Sequence, residues 1–198
     1  MTQQIKKIVI IGPESTGKST LTELLAQHYH TEWCKEYARE YLLANGTDYS
    51  YNDLLTIAKG QVALEASGIE SRESKVKQLE VAQKTSDSRF PIPDASPLLF
   101  IDTDMHVMKV WCEFVFGKCH PYIKEQIAER KYDLYLLCNI DLPWVKDELR
   151  EYPDEAPRIE LYAIYKNILQ NQSVPWVDIS GNYEERLQKA IEAVDRMV

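Results

Sequence analysis

The chain has 198 residues, of which 44% are hydrophobic and 27% charged, a composition typical of a globular protein with one domain and a buried core. Its 23 basic and 31 acidic residues give a net charge of −8, which argues against general nucleic-acid binding because an acidic surface repels phosphate backbones. The sequence has no signal-peptide pattern and no apolar stretch of bilayer length, so we expect a cytoplasmic protein without membrane contact, whose scattered cysteines are free thiols (Cys34, Cys112, Cys119 and Cys138).

The first predicted strand, KKIVIIG, leads directly into a complete phosphate-loop motif, G-x-x-x-x-G-K-[ST]. Gly12, Gly17, Lys18 and Ser19 occupy its fixed positions, and the amphipathic segment STLTELLAQHY predicts the helix that follows such a loop. We expect backbone amides from about Ser15 to Ser19 to hold nucleotide phosphates at the start of this helix. Lys18 is expected to reach the β- and γ-phosphates, and the Ser19 hydroxyl to bind Mg²⁺.

Glu14 places a negative charge inside this loop, and the residue before it, Pro13, has no N–H to donate. Both residues are compatible with phosphate binding if the backbone amides that follow them in the loop contact the phosphates and the Glu14 side chain, at the outer edge of the loop, points away from the phosphates. We expect Glu14 to pair with an arginine from the lid described below. A solvated surface carboxylate is the alternative.

The second predicted strand, at 31–37, runs into the segment EYAREYL. Glu36, Tyr37 and Arg39 would lie beside the phosphate loop if the strands take their usual order. Glu36 is a candidate to bind or deprotonate an acceptor hydroxyl, and Tyr37 or Tyr41 is a candidate to stack on a flat ring. Purely structural packing is the alternative for all three.

A helix is predicted over 51–65, where apolar residues recur at helical spacing. The stretch 66–97 is predicted to be an insertion, with a weak, solvated helix in its first half and a proline-bearing loop in its second half. No residue spacing within it indicates chemistry.

The third predicted strand, at 96–104, ends in FIDTD, and ligands bind at the carboxyl ends of strands in open α/β sheets. Asp102 follows an apolar run and is a candidate Mg²⁺ ligand. Strand alternation would place Asp104 on the same face, where it could hold or deprotonate a hydroxyl. Capping of the next helix is the alternative.

The remaining elements continue the alternation. A helix through VMKVWCEFVF and a short helix opened by Pro121 precede a strand at 131–141, and a further helix precedes a strand at 175–181 and a final helix. With the first strand at 6–12, this order predicts an α/β fold, a single domain over 1–198 built on a mainly parallel five-stranded sheet with helices on both faces.

A lid is predicted at about 143–158, where Arg150 and Arg158 flank the polar segment EYPDEAP. Phosphoryl transfer needs positive charge at the γ-phosphate while water is excluded, and a hinged segment with two arginines suits that role. Surface arginines on an ordinary loop are the alternative. The histidines show no metal-ligand spacing and are assigned no function (His28, His30, His106 and His120).

Several stretches occur in the same order as in the kinase domain of NadR-type proteins, namely GPESTGKSTL, EYAREYL, DLLTIAKGQ, FIDTD, DLYLLCNIDLPWVKDELRE and VDISGNYEERL. The chain therefore resembles a stand-alone ribosylnicotinamide kinase of the NadR family over nearly its whole length except 66–97. The resemblance implies a three-layer P-loop kinase fold that transfers the γ-phosphate of ATP to the 5′-hydroxyl of nicotinamide riboside, giving nicotinamide mononucleotide.

The resemblance also implies roles for individual residues. The triphosphate would be bound by Gly12, Glu14, Ser15, Thr16, Gly17, Lys18, Ser19 and Thr20. Mg²⁺ would be served by Asp102, and the lid would carry Arg150 and Arg158. The riboside pocket and its mouth would include Glu36, Tyr37, Arg39, Asp104, Trp111, Asp141 and Trp144. Adenine would lie near Asn182 and Tyr183.

Two departures and three alternatives stand beside this assignment. NadR proteins carry further domains, including an adenylyltransferase module, and the sequence before residue 6 leaves no room for one, so only the kinase step is expected. The long 66–97 stretch bears on substrate choice or on contacts in a homo-oligomer. The alternatives are a kinase for another nucleoside or small vitamin precursor, a regulatory P-loop ATPase, and a RecA-type ATPase. EYARE and the paired arginines argue against the second, and the acidic balance against the third.

Overall fold

The strands form one parallel sheet, as predicted. The structure, a computed structural model, describes residues 4–85, 97–149 and 154–198. The strands are β1 (Lys6–Ile11), β2 (Trp33–Cys34), β3 (Leu98–Asp102), β4 (Leu134–Cys138) and β5 (Trp176–Ile179). They pair in the order β2-β3-β1-β4-β5, all parallel, so β1 is central and the phosphate loop that follows it lies at the middle of the carboxyl edge. The α/β fold predicted from the sequence is confirmed.

Seven helices connect or flank these strands within the described residues. They are α1 (Lys18–His28), α2 (Tyr37–Asn45), α3 (Tyr51–Thr85), α4 (Met105–Phe116), α5 (Pro121–Glu129), α6 (Glu155–Gln170) and α7 (Tyr183–Asp195). No helix of the described ranges is both long enough and apolar enough to cross a membrane.

The two faces of the sheet bury two separate sets of side chains because successive residues of a strand point to opposite sides. On β1, Ile8 and Ile10 pack toward α1 and α7, whereas Val9 and Ile11 pack toward α3, α4 and α6. All four side chains are fully buried, so both faces are covered by helices. The three predicted layers follow from this arrangement.

The helix predicted to end at residue 65 continues to Thr85. The helix predicted in the first half of 66–97 is therefore present as a continuation of α3. Most residues of 66–78 are exposed or half-buried, but Arg72 and Val76 are buried, and a Cβ on Gly68 would lie 3.6 Å from Leu99 of β3. The proline-bearing half of the predicted insertion, from 86 to 96, lies outside the described residues.

A buried polar cluster fixes α3 beneath the amino edge of the sheet. Glu65, 2% exposed, forms ion pairs with Arg130 at 3.0 Å and Lys7 at 3.7 Å. The Tyr132 hydroxyl donates to its other oxygen at 3.0 Å. This cluster stabilises the fold at the edge of the sheet opposite to the phosphate loop.

The four cysteines are free, as predicted; Cys34, Cys112 and Cys138 are buried and Cys119 is half-buried. Burial raises the pKa of the Cys138 thiol to about 12, so it remains a neutral, apolar group at the end of β4.

Candidate active site

The backbone of the loop between β1 and α1 is held in conformations that favour glycine. Gly12 has φ 145°, and a Cβ there would lie 2.7 Å from the carbonyl oxygen of Cys138. Gly17 has φ 77° and forms the N-cap of α1, where no side chain caps the first turn. The amides at the start of α1 therefore have no side-chain acceptor and suit an anionic ligand.

Pro13 contributes to this loop through its carbonyl group. Its oxygen accepts hydrogen bonds from Thr16 Oγ1 at 2.8 Å and from Lys18 Nζ at 2.9 Å. The Lys18 ammonium is thus folded back over the loop, where a phosphate group would be cradled. A proline costs the loop nothing here, because the atom in use is an acceptor and not an N–H.

Asp102 is the last residue of β3, beside this loop, and one of its buried carboxylate oxygens lacks a hydrogen-bond partner in the part of the chain that the structure describes. Its Oδ2 atom has no hydrogen-bond partner among the described residues, and the residue is 1% exposed. Burial and the nearby Glu36 carboxylate raise the pKa of Asp102 to about 7, while Lys18 and the Ser19 hydroxyl oppose the rise. A carboxylate with one oxygen that lacks a described hydrogen-bond partner, beside a hydroxyl, is a donor set that suits Mg²⁺.

A metal ion at this place would need ligands beyond the protein. Within the described ranges, no group of three or more His, Cys, Asp or Glu side chains is arranged to hold a metal ion. Mg²⁺ is commonly bound by one or two protein oxygens together with phosphate oxygens and water, so Ser19 and Asp102 fit an ion that arrives with a nucleotide.

Asp104 does not lie on the face predicted for it. The strand ends at Asp102, and Thr103 adopts φ 77°, so strand alternation does not extend to Asp104. Instead Asp104 is the N-cap of α4, accepting hydrogen bonds from the backbone amides of His106 at 3.0 Å and Val107 at 3.3 Å. The expectation based on alternation is wrong, and the capping alternative is correct.

The second oxygen of Asp104 is engaged as well. It lies 3.0 Å from His106 Nδ1 and accepts the Tyr135 hydroxyl at 2.9 Å. Burial alone would raise the pKa of Asp104, but His106 and the hydrogen bonds hold it below its usual value. Asp104 is 1% exposed and is not among the residues that line the cleft described next.

A cleft extends from the phosphate loop toward α2, α4 and α6. Glu36, the N-cap of α2, lines it and makes no capping hydrogen bond with its side chain. The indole of Trp111 also lines it and is oriented by a hydrogen bond from Nε1 to the Tyr49 hydroxyl at 2.8 Å. Besides residues 12–20 and Arg39, the other lining residues are mostly apolar, namely Ala38, Leu42, Val107, Phe114, Leu149, Leu161 and Tyr165. Among the described lining residues outside the phosphate loop, Glu36 is thus the one carboxylate, and most of its neighbours in the lining are apolar or aromatic.

Tyr37 packs against the helix behind the cleft. A Cβ on Gly60 would lie 2.1 Å from the Tyr37 ring, so this glycine makes room for the ring on α3. The Tyr37 amide donates to Gln61 at 2.7 Å. Tyr37 is not among the described residues lining the cleft, so the structure places it with the packing alternative.

The segment 143–149, which we call the strap, contacts both the phosphate loop and α2 and contributes Leu149 to the lining of the cleft. Trp144 Nε1 donates to Glu14 at 3.3 Å, and the Val145 amide donates to Ser15 Oγ at 2.9 Å. At its far end Asp147 accepts two hydrogen bonds from Arg39, at 3.0 and 3.2 Å. The strap therefore joins the phosphate loop to α2.

Of the two predicted lid arginines, Arg158 lies among the described residues. Arg158 is buried in the first turn of α6 and donates to the carbonyl groups of Leu142 at 3.2 Å and Ile140 at 3.5 Å. The alternative of an exposed arginine is therefore wrong for Arg158, and no hydrogen bond to Glu14 is among its described contacts. Arg150 lies outside the described residues, and pairing of Glu14 with that arginine stays a prediction.

The start of α7 packs behind the phosphate loop. Asn182 forms a capping box with Glu185, and a Cβ on Gly17 would lie 3.6 Å from Tyr183 Cε1. Asp141 accepts the Gly181 amide and forms an ion pair with Arg186, so it lies on this side and not among the described residues of the cleft. Arg186 is the residue that inspection of the sequence missed. Its signal was weak, an arginine within the stretch DISGNYEERL.

The sequence matches a known protein family and two curated relatives. A family model described as AAA domain (AAA_28) matches residues 7–186. The trifunctional NAD biosynthesis/regulator proteins NadR of Escherichia coli (strain K12) and Salmonella typhimurium (strain LT2) are each 28% identical to the chain over 199 aligned positions. The match covers 98% of this chain but 43% of each relative, so the chain spans less than half of their length.

Solved structures share the fold. A NadR protein in complex with NR has a TM-score of 0.74 and 24% identity, and the match covers 98% of this chain and 49% of that one. A NadR protein in complex with NAD and AMP-PNP has a TM-score of 0.66 and 22% identity over the same shares. Thymidylate kinase from Ehrlichia chaffeensis has a TM-score of 0.58 and 12% identity, covering 97% of this chain and 99% of the kinase.

Proposed function

The chain belongs to the AAA domain family AAA_28, and from this premise we propose that it is an ATP-dependent kinase of a nucleoside. The observation that carries the proposal is that one cleft is lined by both the phosphate loop and Glu36. A phosphate donor on the loop and a hydroxyl beside Glu36 would meet within a single chamber. A regulatory ATPase does not need space for an acceptor beside the phosphate loop.

We propose nicotinamide riboside as the acceptor, with nicotinamide mononucleotide as the product. The support is the similarity to NadR proteins over nearly the whole chain, together with the solved NadR structure that holds NR. The cleft also suits this ligand chemically. The Trp111 indole offers a flat surface to a cationic pyridinium ring, and the Glu36 carboxylate supplies a hydrogen-bond acceptor for a sugar hydroxyl.

In this mechanism the amides at the start of α1 and the Lys18 ammonium bind the β- and γ-phosphates. Ser19 and Asp102 would hold Mg²⁺, which when bound neutralises charge on the phosphate oxygens. Asn182 and Tyr183 remain our candidates for contact with adenine. The support for Tyr183 is its position near the start of α1, since its Cε1 atom would lie 3.6 Å from a Cβ on Gly17.

Glu36 is the carboxylate best suited to the acceptor hydroxyl. It lines the cleft, whereas both oxygens of Asp104 serve the start of α4 and its neighbours. The apolar walls and the strap would exclude water, so that alignment of the acceptor and donor supplies much of the rate. Arg150 and Arg158 are retained as lid candidates that would bring positive charge to the γ-phosphate.

The test is a panel of nucleosides assayed for ADP release in the presence of ATP and Mg²⁺, with mass spectrometry of each product. We expect nicotinamide riboside to gain one phosphoryl group at the highest kcat/KM of the panel. Lys18→Met, which removes the ammonium but keeps an unbranched side chain, is expected to abolish this activity in a folded protein. Success of another nucleoside beside failure of nicotinamide riboside would overturn the acceptor. ATP hydrolysis without any phosphorylated product would favour a regulatory ATPase.

A further inference from the structure

Arg186 occupies a place that is unfavourable for a cation. It lies in the first turn of α7, where the positive end of the helix dipole opposes a positive charge, and it is 2% exposed. A buried guanidinium remains protonated and must have its charge and its N–H groups satisfied. Its partners therefore indicate why it is there.

Those partners come from three loops at the carboxyl edge of the sheet. Nε donates to the Gly181 carbonyl at 2.8 Å, Nη1 to the Thr16 carbonyl at 2.9 Å and Nη2 to the Asn139 carbonyl at 2.9 Å. Nη2 also forms an ion pair with Asp141. A single planar side chain thus holds the phosphate loop to the ends of β4 and β5.

The bond to Thr16 bears directly on phosphate binding. A peptide unit is planar and trans, so its carbonyl oxygen and the N–H of the next residue point in opposite directions. Because the Thr16 carbonyl points to Arg186, the Gly17 N–H of the same peptide unit points away from Arg186. Arg186 therefore orients one of the amides expected to bind phosphate.

We propose that Arg186 is a positioning residue for nucleotide binding, oriented in turn by Asp141. The proposal rests on the proposed ATP-binding function of the loop. It also reassigns Asp141, which the sequence suggested for the acceptor pocket, to the nucleotide side of the site. Neither side chain is required to touch the nucleotide.

Arg186→Lys tests this geometry because lysine keeps the charge but cannot reach several acceptors with a planar fork. Arg130→Lys is the matched control, since Arg130 is also shielded and ion-paired, with Glu65, but lies at the opposite edge of the sheet. Asp141→Asn is a milder variant, because the Asp141 side chain is 38% exposed and asparagine keeps an oxygen that can accept a hydrogen bond from Arg186.

The primary measurement is calorimetric titration with Mg²⁺ and AMP-PNP in the absence of acceptor. We expect the Kd to rise about 10- to 100-fold in Arg186→Lys, which corresponds to the loss of at least one hydrogen bond that involves a charged group. In Asp141→Asn we expect a rise of about 3- to 10-fold. Arg130→Lys is expected to stay within about twofold of wild type, with a lower melting temperature as in Arg186→Lys. In steady-state assays KM for ATP should rise, and KM for the acceptor should not.

Folded Arg186→Lys with wild-type nucleotide affinity would overturn the proposal, as would equal losses of affinity in Arg186→Lys and Arg130→Lys. If Arg186→Lys fails to fold, Asp141→Asn decides: weaker AMP-PNP binding supports the proposal, and unchanged binding or a raised acceptor KM alone overturns it. Wild-type protein that does not bind AMP-PNP would instead refute the proposed function itself.

Discussion

The ion pair between Arg39 and Asp147 allows two roles of Arg39 in acceptor binding to be distinguished by mutation. The sequence suggested that Arg39 binds the acceptor, whereas the structure shows it joined to the strap by two hydrogen bonds of 3.0 and 3.2 Å. If the pair holds the strap closed, removal of either partner should weaken acceptor binding equally. If Arg39 contacts the acceptor, only its own removal should matter greatly.

The size of the effect follows from exposure. The Arg39 side chain is 51% exposed and that of Asp147 is 22% exposed, so solvent screens the pair. Exposed ion pairs contribute about 0.2–1 kcal/mol, and the two-point geometry favours the upper part of that range. A coupling of about 1 kcal/mol corresponds to roughly a fivefold change in KM for the acceptor.

The assay is a double-mutant cycle with Arg39→Ala, Asp147→Ala and the double variant, scored by KM for the acceptor at saturating ATP. We expect each single change to raise KM about two- to fivefold, and the double variant to be no worse than either. The coupling should fall at about 1 M salt, where charges are strongly screened.

Glu73→Ala is the matched control, because Glu73 forms an exposed pair with Lys77 on α3, away from the cleft. It should leave both KM values unchanged. The reasoning would be refuted by an Arg39→Ala effect at least tenfold larger than that of Asp147→Ala, with the two effects additive. That result would return Arg39 to direct contact with the acceptor.

Three further outcomes are expected. Asp102→Asn should lower kcat by about two orders of magnitude and raise the Mg²⁺ concentration needed for half-maximal rate, because the negative charge at the buried Oδ2 atom is lost. An unchanged Mg²⁺ dependence would exclude the metal role. Gly12→Ala should destabilise the protein by more than Gly117→Ala in urea titrations. Both positions have positive φ, at a cost of about 1–2 kcal/mol for alanine, but only Gly12 has a carbonyl oxygen 2.7 Å from the added Cβ. Hydrogen bonds from Tyr41 and Ser50 lower the pKa of Asp53 to about 2, so Asp53 stabilises the folded state above pH 4 and loses this contribution as pH falls toward 2. The urea midpoint of Asp53→Asn should therefore depend less on pH between 2 and 4, and parallel curves would contradict this.

The phosphate loop could be predicted because its chemistry is local. Gly12, Gly17 and Lys18 lie within seven consecutive positions, and the ligand contacts are made by the backbone of that same stretch. The strands were equally accessible, since buried parallel strands are short continuous apolar runs. In both cases the signal lies within about ten residues.

Other parts depend on contacts between residues distant in sequence. The continuation of α3 was predicted only as a weak, solvated helix, because the buried side of its second half includes Arg72, which the apolar pattern counts as solvated. Asp104 was misplaced because the strand ends at Asp102, two residues before the predicted end, where Thr103 adopts a positive φ, and composition does not signal such a bend. Arg186 binds main-chain carbonyls up to 170 positions away, and carbonyl groups have no sequence signature.

The placement of Glu14 follows from this division between backbone and side chain. Because the amides of the loop are the expected ligands of phosphate, the side chains of Glu14 and Ser15 are available for other contacts, and both are used to hold the strap. The same strap reaches α2 through Asp147 and contributes Leu149 to the wall of the cleft. The strap therefore connects the phosphate loop to the wall of the cleft. A negative charge in a phosphate loop is then no contradiction, since it faces the strap while the main chain faces the ligand.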